Sequence, residues 1–410
     1  MAEVIPFRGI CYDPGKIEAA SVMAPPYDVI SPEMREILYS RSPYNIARVD
    51  AGMDQPEDDE NENKYTRSAG LIEKWLGEGV LRMAEKPCLY VYEAEYAIHG
   101  GLKRLRGIFA LVRLEPFGEG RIYPHECTHS KARNDRLRLI TATGMNTSPI
   151  FSVYENEGAK KSSGILDAAT RGKPYLEARD FDGAAHRLWV IDRGEEIAAF
   201  QEELKEKPIF IADGHHRYET ALEHQRQMRE RPGGSRGDES FNYVLMFLAN
   251  TAHGGLTVLP THRLVKTDAR LPECLAEHFN IETISPDEDI IENIKGGKGV
   301  FGLYTGGKQY RITYKGTDLE DIHPALKNLD VEVLQELVIR RLTHTERMAY
   351  EMDAAAAEAL VRNGQFQAAF FLNPTSVKDV MEVALSGQRM PPKSTYFYPK
   401  IMTGFVMSRV

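Results

Sequence analysis

Cysteine is scarce in this 410-residue chain, with four thiols at positions 11, 88, 127 and 274, far apart and in no paired motif. That spacing excludes a disulfide scaffold and a Cys-x-x-Cys metal site, and it fits the reduced thiols of a cytoplasmic protein. Positive charge is also short. The 51 Lys and Arg stand against 60 Asp and Glu, a net charge of −9, so binding to nucleic acid by bulk electrostatics is not expected. No apolar run approaches the roughly 18 residues that cross a bilayer, so no membrane partner is expected either. The opening Met1-Ala-Glu-Val-Ile-Pro6 has no basic segment leading into an apolar one, the mark of a secretory signal. What is left is a globular composition with 42% hydrophobic residues, enough apolar content for a sizeable core. The length suggests two to three domains at about 150 residues each.

The most informative stretch is Lys207-Pro-Ile-Phe-Ile-Ala-Asp-Gly-His-His-Arg-Tyr-Glu-Thr-Ala-Leu222. Ile209 to Ala212 is a short apolar run that reads as a buried strand. Asp213-Gly214 breaks it, because glycine tolerates backbone angles that other residues avoid. Tyr218, Ala221, Leu222 and Gln225 then recur at helical spacing, opposite a polar face of Glu219, Glu223 and Arg226. Tyr243 to Ala249 reads as the next buried strand. The predicted order is strand, glycine turn, helix, loop, strand.

That order suits an anion. The first turn of a helix presents unpaired N–H groups and the positive end of its dipole. Gly214 lets a ligand approach the backbone, and Arg217 adds a forked donor that matches phosphate oxygens. His215 and His216 can donate hydrogen bonds, and Asp213 can hold a magnesium ion or orient a histidine. The bland alternative makes Asp213 a helix cap and the basic residues a solvated face. A strict capping box is absent, since His216 stands where Glu or Gln would.

A second stretch, Tyr123-Pro-His-Glu-Cys-Thr-His-Ser-Lys-Ala-Arg-Asn-Asp-Arg136, contains His125-Glu126-x-x-His129. On a helix that spacing puts two histidines on one zinc ion with the glutamate as base. Against this, Ser130 to Arg136 lacks the apolar flank that such helices pack with, and no third ligand is evident. Glu126 remains a candidate general base in any chemistry, or a first-turn carboxylate favoured by a helix dipole.

Elsewhere, Ser31 is predicted to cap a short helix with Pro32 at its first position. Asp50 to Asn63 reads as an exposed acidic loop, Tyr65 to Leu76 as an amphipathic helix, and Cys88 to Leu114 as a hairpin turning at His99-Gly100-Gly101. Gly144 to Tyr154 suggests a turn into a strand. Leu271 to Phe279 reads as a helix, Gly299 to Ile312 as a hairpin, and Val331 to Arg341 and Ala354 to Arg362 as helices. In the tail, Lys393 or Lys400 can reach phosphate, and Tyr396 or Tyr398 can stack on a base. The expected division is an N-terminal α+β unit at 1–112, a phosphate-binding core at 113–263 and a C-terminal α+β unit at 264–410.

Pro25-Pro-Tyr-Asp-Val-Ile-Ser31, Ala212 to Ala221 and Met390-Pro-Pro-Lys-Ser-Thr395 together resemble a large prokaryotic family of unknown function, over nearly the whole chain. Asp213-Gly-His-His-Arg217 is also similar, more distantly, to the phosphate-binding motif of the archaeal free-serine kinase. The Gly-Cys-His-Arg of sulfiredoxin and the Gly-Glu-Arg-Arg box of ParB partition proteins are related motifs. The resemblance implies an α+β fold, with a ParB/sulfiredoxin-like nucleotide-binding core embedded in a larger mixed α/β chain.

In the serine kinase a glutamate in an earlier segment is the base. Pro124-His125-Glu126, with the polar helix and the Pro149-Ile-Phe strand after it, resembles that segment. The implied catalytic residues are therefore Glu126, His216 and Arg217. Nucleotide phosphates fall to Asp213, Gly214, His215, His216, Arg217 and Lys393, and the substrate to His125, Lys131, Asn146 and Ser148. The implied cofactors are ATP or ADP with Mg2+. His215 replaces sulfiredoxin's cysteine, which excludes sulfinic-acid repair, and nothing past residue 264 reads as the helix-turn-helix that ParB-type DNA binding requires. The expected function is a nucleotide-dependent phosphotransferase acting on a small hydroxyl-bearing metabolite, with free serine among the candidates. A nucleotide-binding switch or NTPase with a protein partner, and a zinc hydrolase using His125 and His129, are the alternatives. The oligomeric state is open.

Overall fold

The runs read as buried strands come together in one mixed sheet. In a computed structural model describing residues 2–98, 100–128, 130–231, 237–317, 319–342 and 348–410, nine strands form it. From one edge they run Ile122–Tyr123, Ile209–Asp213, Ile150–Tyr154, Tyr243–Asn250, Gly101–Arg113, Leu89–Ile98, Ala185–Ile191 and Leu176–Arg179, with Val4–Ile5 also on Gly101–Arg113. All eight residues of Tyr243–Asn250 are buried. A strand covered on both faces needs such a continuous apolar run. The predicted hairpin is present as Leu89–Ile98 and Gly101–Arg113, paired from Tyr90 with Phe109 to Ile98 with Gly101; His99 lies outside the described residues.

This sheet belongs to the first of two compact units, made of 1–124, 128–256 and 399–410. The second comprises 125–127 and 257–398. The boundaries expected at 112 and 263 are drawn differently, because strands from both sides of residue 112 share hydrogen bonds. Tyr243–Asn250 pairs with Gly101–Arg113, and Ala185–Ile191 pairs with Leu89–Ile98.

Two helices of the first unit pack against each other. Ser130–Thr143 buries Arg136, Leu139, Ile140 and Thr143. His215–Arg229 buries His215, Tyr218, Thr220, Ala221, His224 and Gln225. Few of these are large apolar groups, so polar fastening supplements burial. The Tyr218 hydroxyl donates to the Glu115 carbonyl at 2.7 Å and accepts its N–H at 3.0 Å, while Phe117 stacks on the Tyr218 ring at 5.0 Å. Thr220 Oγ1 donates to the Arg133 carbonyl on the neighbouring helix. At the N-terminal side, Ser31 caps Pro32–Arg41 by accepting the Met34 N–H, with Pro32 in the first turn as predicted.

The second unit holds a six-stranded antiparallel sheet in the order Phe279–Ile284, Lys308–Tyr314, Val300–Thr305, Ala368–Phe371, His262–Val265 and Met348–Glu351. The helix expected over Leu271 to Phe279 is absent. A 3-10 turn occupies Glu273–Leu275 and a strand starts at Phe279. Apolar Leu271, Leu275 and Phe279 imitate helical spacing, but Phe279 pairs with Tyr314 in the ladder, and tertiary pairing overrides a short periodic signal. Residues 330–342 are helical as expected, with a π turn at Gln335–Ile339. Among the described residues no helix is long and apolar enough to cross a membrane.

Candidate functional site

The candidate site is built where the Ile209–Asp213 strand gives way to the His215–Arg229 helix. Pairing with Ile150–Tyr154 slips between Ile211 and Asp213. Such a bulge re-aims the side chains that follow it. Gly214 then sits in the left-handed region, φ 96°, at the N-cap position of the helix. A β-carbon at Gly214 would lie 2.9 Å from Arg217 Nε and 3.0 Å from its Cζ. The guanidinium is therefore folded back over the glycine backbone, and any other residue at 214 would be strained by its backbone angle and would have to displace that guanidinium.

Asp213 is held by cations. Its Oδ2 takes Lys400 Nζ at 2.8 Å and its Oδ1 lies 3.7 Å from Arg217 Nη2. All three side chains are mostly buried, between 10% and 16% exposed, so the pairing is shielded from salt. Arg217 Nη1 donates to the Pro149 carbonyl. Its Nε is buried and has no hydrogen-bond partner among the described residues. An unpaired donor of this kind costs about 1–3 kcal/mol, more when charged, so an acceptor supplied from outside the chain would be bound with advantage.

Beside it lies a small cavity of about 30 Å³, lined by Arg136, Asn146, Thr147, Ser148, Arg217 and Thr220 among others. Two of the four expected substrate residues, Asn146 and Ser148, thus stand with Arg217. Asn146 Nδ2 donates to Ser408 Oγ at 3.3 Å. Ser148 and Thr147 donate to Asp50 Oδ1 at 3.3 and 2.7 Å, which also accepts Arg136 Nη1 at 3.2 Å. Asp50 is 1% exposed, so the acidic loop expected to begin there starts instead with a buried ion-pair partner. Its Oδ2 has no hydrogen-bond partner among the described residues. The Arg136 guanidinium lies 3.8 Å from the centre of the Tyr27 ring, a cation–π distance. Burial works to depress the Arg136 pKa, but Asp50 and Asp135 outweigh it and hold the group above its ordinary value. Burial likewise pushes the Tyr27 hydroxyl up.

Asp50, Arg136 and Tyr27 were not singled out by sequence reasoning as site residues. Tyr27 had a signal, its place in the Pro25–Ser31 segment; Asp50 and Arg136 are 86 residues apart and had none. Lys131 is exposed on the first turn of the Ser130–Thr143 helix, while His215 is buried and His216 half-buried.

His125, Glu126 and Lys393 belong to the second unit. His125 and Glu126 are not helical: the helix begins at Ser130, and Glu126 bridges Met390 in parallel fashion. Buried His125 has its Nε2 3.0 Å from Thr395 Oγ1 and its ring against Phe397. Glu126 Oε1 accepts the Lys393 N–H at 2.7 Å, and Lys393 is the described non-glycine residue with a left-handed backbone, φ 59°. Strained positions of this sort gather at functional sites. Nearby, Arg263 is 2% exposed and lies over the Tyr350 ring at 4.6 Å; burial pulls it down to about 10, with Tyr350 and Glu126 working the other way. The histidine pairing expected of a zinc site needs His129, which lies outside the described residues. Among the described residues, no group of three His, Cys, Asp or Glu side chains is placed to hold a metal ion.

A family model described as "Protein of unknown function (DUF1015)" matches residues 4–332. No curated protein matches the chain. Among solved structures, a free serine kinase in complex with AMP is similar at 17% identity and TM-score 0.36, over 70% of this chain and 89% of that one. A conserved hypothetical protein from Pyrococcus furiosus is similar at 17% identity and TM-score 0.35, over 70% and 92%. SbnI from Staphylococcus aureus, truncated at its C-terminus, matches at 12% and 0.38, over 72% and 85%. Likeness at these scores does not establish a shared fold.

Proposed function

The chain belongs to that family, and within it we propose a nucleotide-dependent phosphotransferase acting on a small hydroxyl-bearing metabolite, free serine being one candidate. The observation that carries the reading is the buried Arg217, whose Nε lacks a partner among the described residues, in the first turn of a 15-residue helix. A phosphate would supply that acceptor and sit in the field of the helix dipole. Asp213–Arg217, by its similarity to the serine-kinase motif, supplies the reaction class. With it comes the proposal of a ParB/sulfiredoxin-like core.

Phosphoryl transfer needs charge neutralised on the moving group and a nucleophile held in line. The backbone at Gly214 and His215, with His216 and Arg217, would take up phosphate charge. Asn146 and Ser148 line the adjoining cavity and would offer polar contacts to the metabolite. His125, Lys131 and Lys393 keep the roles that the resemblance gives them, and Glu126 is assigned the acceptance of the alcohol proton. ATP or ADP, with Mg2+, supplies the phosphoryl group and its counter-charge. Asp213 fits poorly as a magnesium ligand, because Lys400 and Arg217 already pair with it.

The test is direct. Purified protein is incubated with ATP, ADP, GTP or CTP plus magnesium and a panel of hydroxyl-bearing metabolites, and phosphorylated products are sought by mass spectrometry. A phosphorylated metabolite supports the proposal. Slow release of inorganic phosphate with no phosphorylated product would transfer the assignment to a nucleotide switch.

A further inference from the structure

A second pocket in the first unit, of about 160 Å³, is lined by Tyr27, Ile30, Arg35, Val49, Ala51, Gly52, Lys64, Tyr65, Ser68, Asp135, Arg136 and Leu139. Its volume is well below the about 300–1,000 Å³ of pockets that take drug-sized ligands. It has room for a small metabolite. Three of its walls carry cations, and two of these are already matched. Lys64 pairs with Asp54 and Asp135, each at 3.2 Å. Arg136 pairs with Asp135 at 2.6 Å and with Asp50 at 3.2 Å. The Asp135 carboxylate is saturated in turn, since it also accepts the Tyr65 hydroxyl at 2.8 Å.

Arg35 is different. Its Nε is closed to solvent, and among the described residues it has no hydrogen-bond partner and no carboxylate pairs with the guanidinium. Of the three lining cations, Arg35 alone lacks a carboxylate partner among the described residues. Arginine presents a planar fork of donors, which a carboxylate fits with two parallel bonds. Tyr27, Ile30 and Arg35 also lie in or just after the Pro25–Ser31 segment, a family feature that the phosphate-binding argument leaves without a role.

We propose that this pocket binds the carboxylate of a small organic acid, with Arg35 as its ion partner. The site is separate from the start of the His215–Arg229 helix and does not depend on phosphoryl transfer; Arg136 and Leu139 line both this pocket and the cavity beside Arg217.

The experiment is calorimetric titration of the full chain with glycolate, D-glycerate, L-lactate and L-serine, beside glycerol and inorganic phosphate, repeated with Arg35→Gln and Arg217→Ala. At least one acid should bind saturably, glycerol should not, and Arg35→Gln should weaken the acid at least tenfold while Arg217→Ala leaves it within twofold. Arg35→Gln should melt no lower than wild type without ligand, since it removes an unpaired donor; a fall of several degrees would mark Arg35 as structural and overturn the proposal. It is equally overturned if no acid binds at millimolar concentration, if binding survives Arg35→Gln, or if phosphate alone binds in an Arg35-dependent way.

Discussion

Two histidine-bearing stretches of this chain, His125-Glu126 and His215-His216, look alike in sequence and are built differently. Each has a small breaker at its front, Pro124 in one and Gly214 in the other, and each is followed by a polar helix. At Gly214 the backbone turns left-handed and the helix starts at the next residue. At Pro124 no helix begins, Glu126 joins Met390 as a bridge, and the helix waits until Ser130. Glycine can reverse the backbone within one residue, whereas proline biases the residue before it towards extended geometry and lacks an N–H. Only the His215-His216 stretch therefore delivers its basic residues to a helix start. The other delivers a carboxylate to the backbone N–H of a strained Lys393.

The sharpest way to separate the two stretches is Glu126→Gln. As the proposed proton acceptor, it should lower turnover by about 10²–10⁴-fold while nucleotide affinity stays intact. Steady-state kinetics beside a binding titration reads both, and lost affinity with surviving turnover would reverse the assignment. Gly214→Ala should come next. A side chain in the left-handed region costs about 1–3 kcal/mol, and the new β-carbon would collide with the Arg217 guanidinium. Thermal denaturation should show a fall of several degrees, whereas Gly70→Ala in a helix with open space around it should raise stability by a few tenths of a kcal/mol to about 1.

The smallest effect concerns His262, a buried histidine of the second unit. Burial, with Arg263 adding to it, pulls His262 down to about 4, against an unfolded value near 6.5. Its contribution is complete above about pH 6.5 and is lost as pH falls towards 4, where the unfolded chain binds the extra proton first. Asp330 and Glu332, raised by burial to about 6 and about 7, act in the opposite sense and lose stability as pH rises. Denaturant titrations of wild type and His262→Gln should therefore be compared as a difference, which should shrink from pH 7 to pH 4.

How much of this was legible follows the range of the forces involved. The Ile209–Asp213 strand, Gly214 and the helix after it could be read because an apolar run, a glycine and a 3.6-residue pattern are local signals. The Ser31 cap and the hairpin near Gly100 were legible for the same reason. Asp50 was read as solvated because nothing in its neighbourhood shows that Arg136, 86 residues later, reaches its carboxylate. The orphaned Arg217 Nε depends on how the Pro149 carbonyl meets the guanidinium, and Lys400 meets Asp213 from the far end of the chain. Sequence indicates which residues can make a site; long-range pairing decides which of them are already engaged.

The account rests on Arg217 as an anion-binding group, and nucleotide-induced stabilisation tests it most directly. Wild type and Arg217→Ala would be melted with ATP, ADP, GTP and CTP, each with magnesium. A nucleotide at one hundred times its dissociation constant should stabilise wild type by about 2.7 kcal/mol, several degrees for a chain of this size. The same concentration should shift Arg217→Ala far less. Equal shifts in the two proteins, or no shift with any nucleotide in wild type, would contradict the central claim.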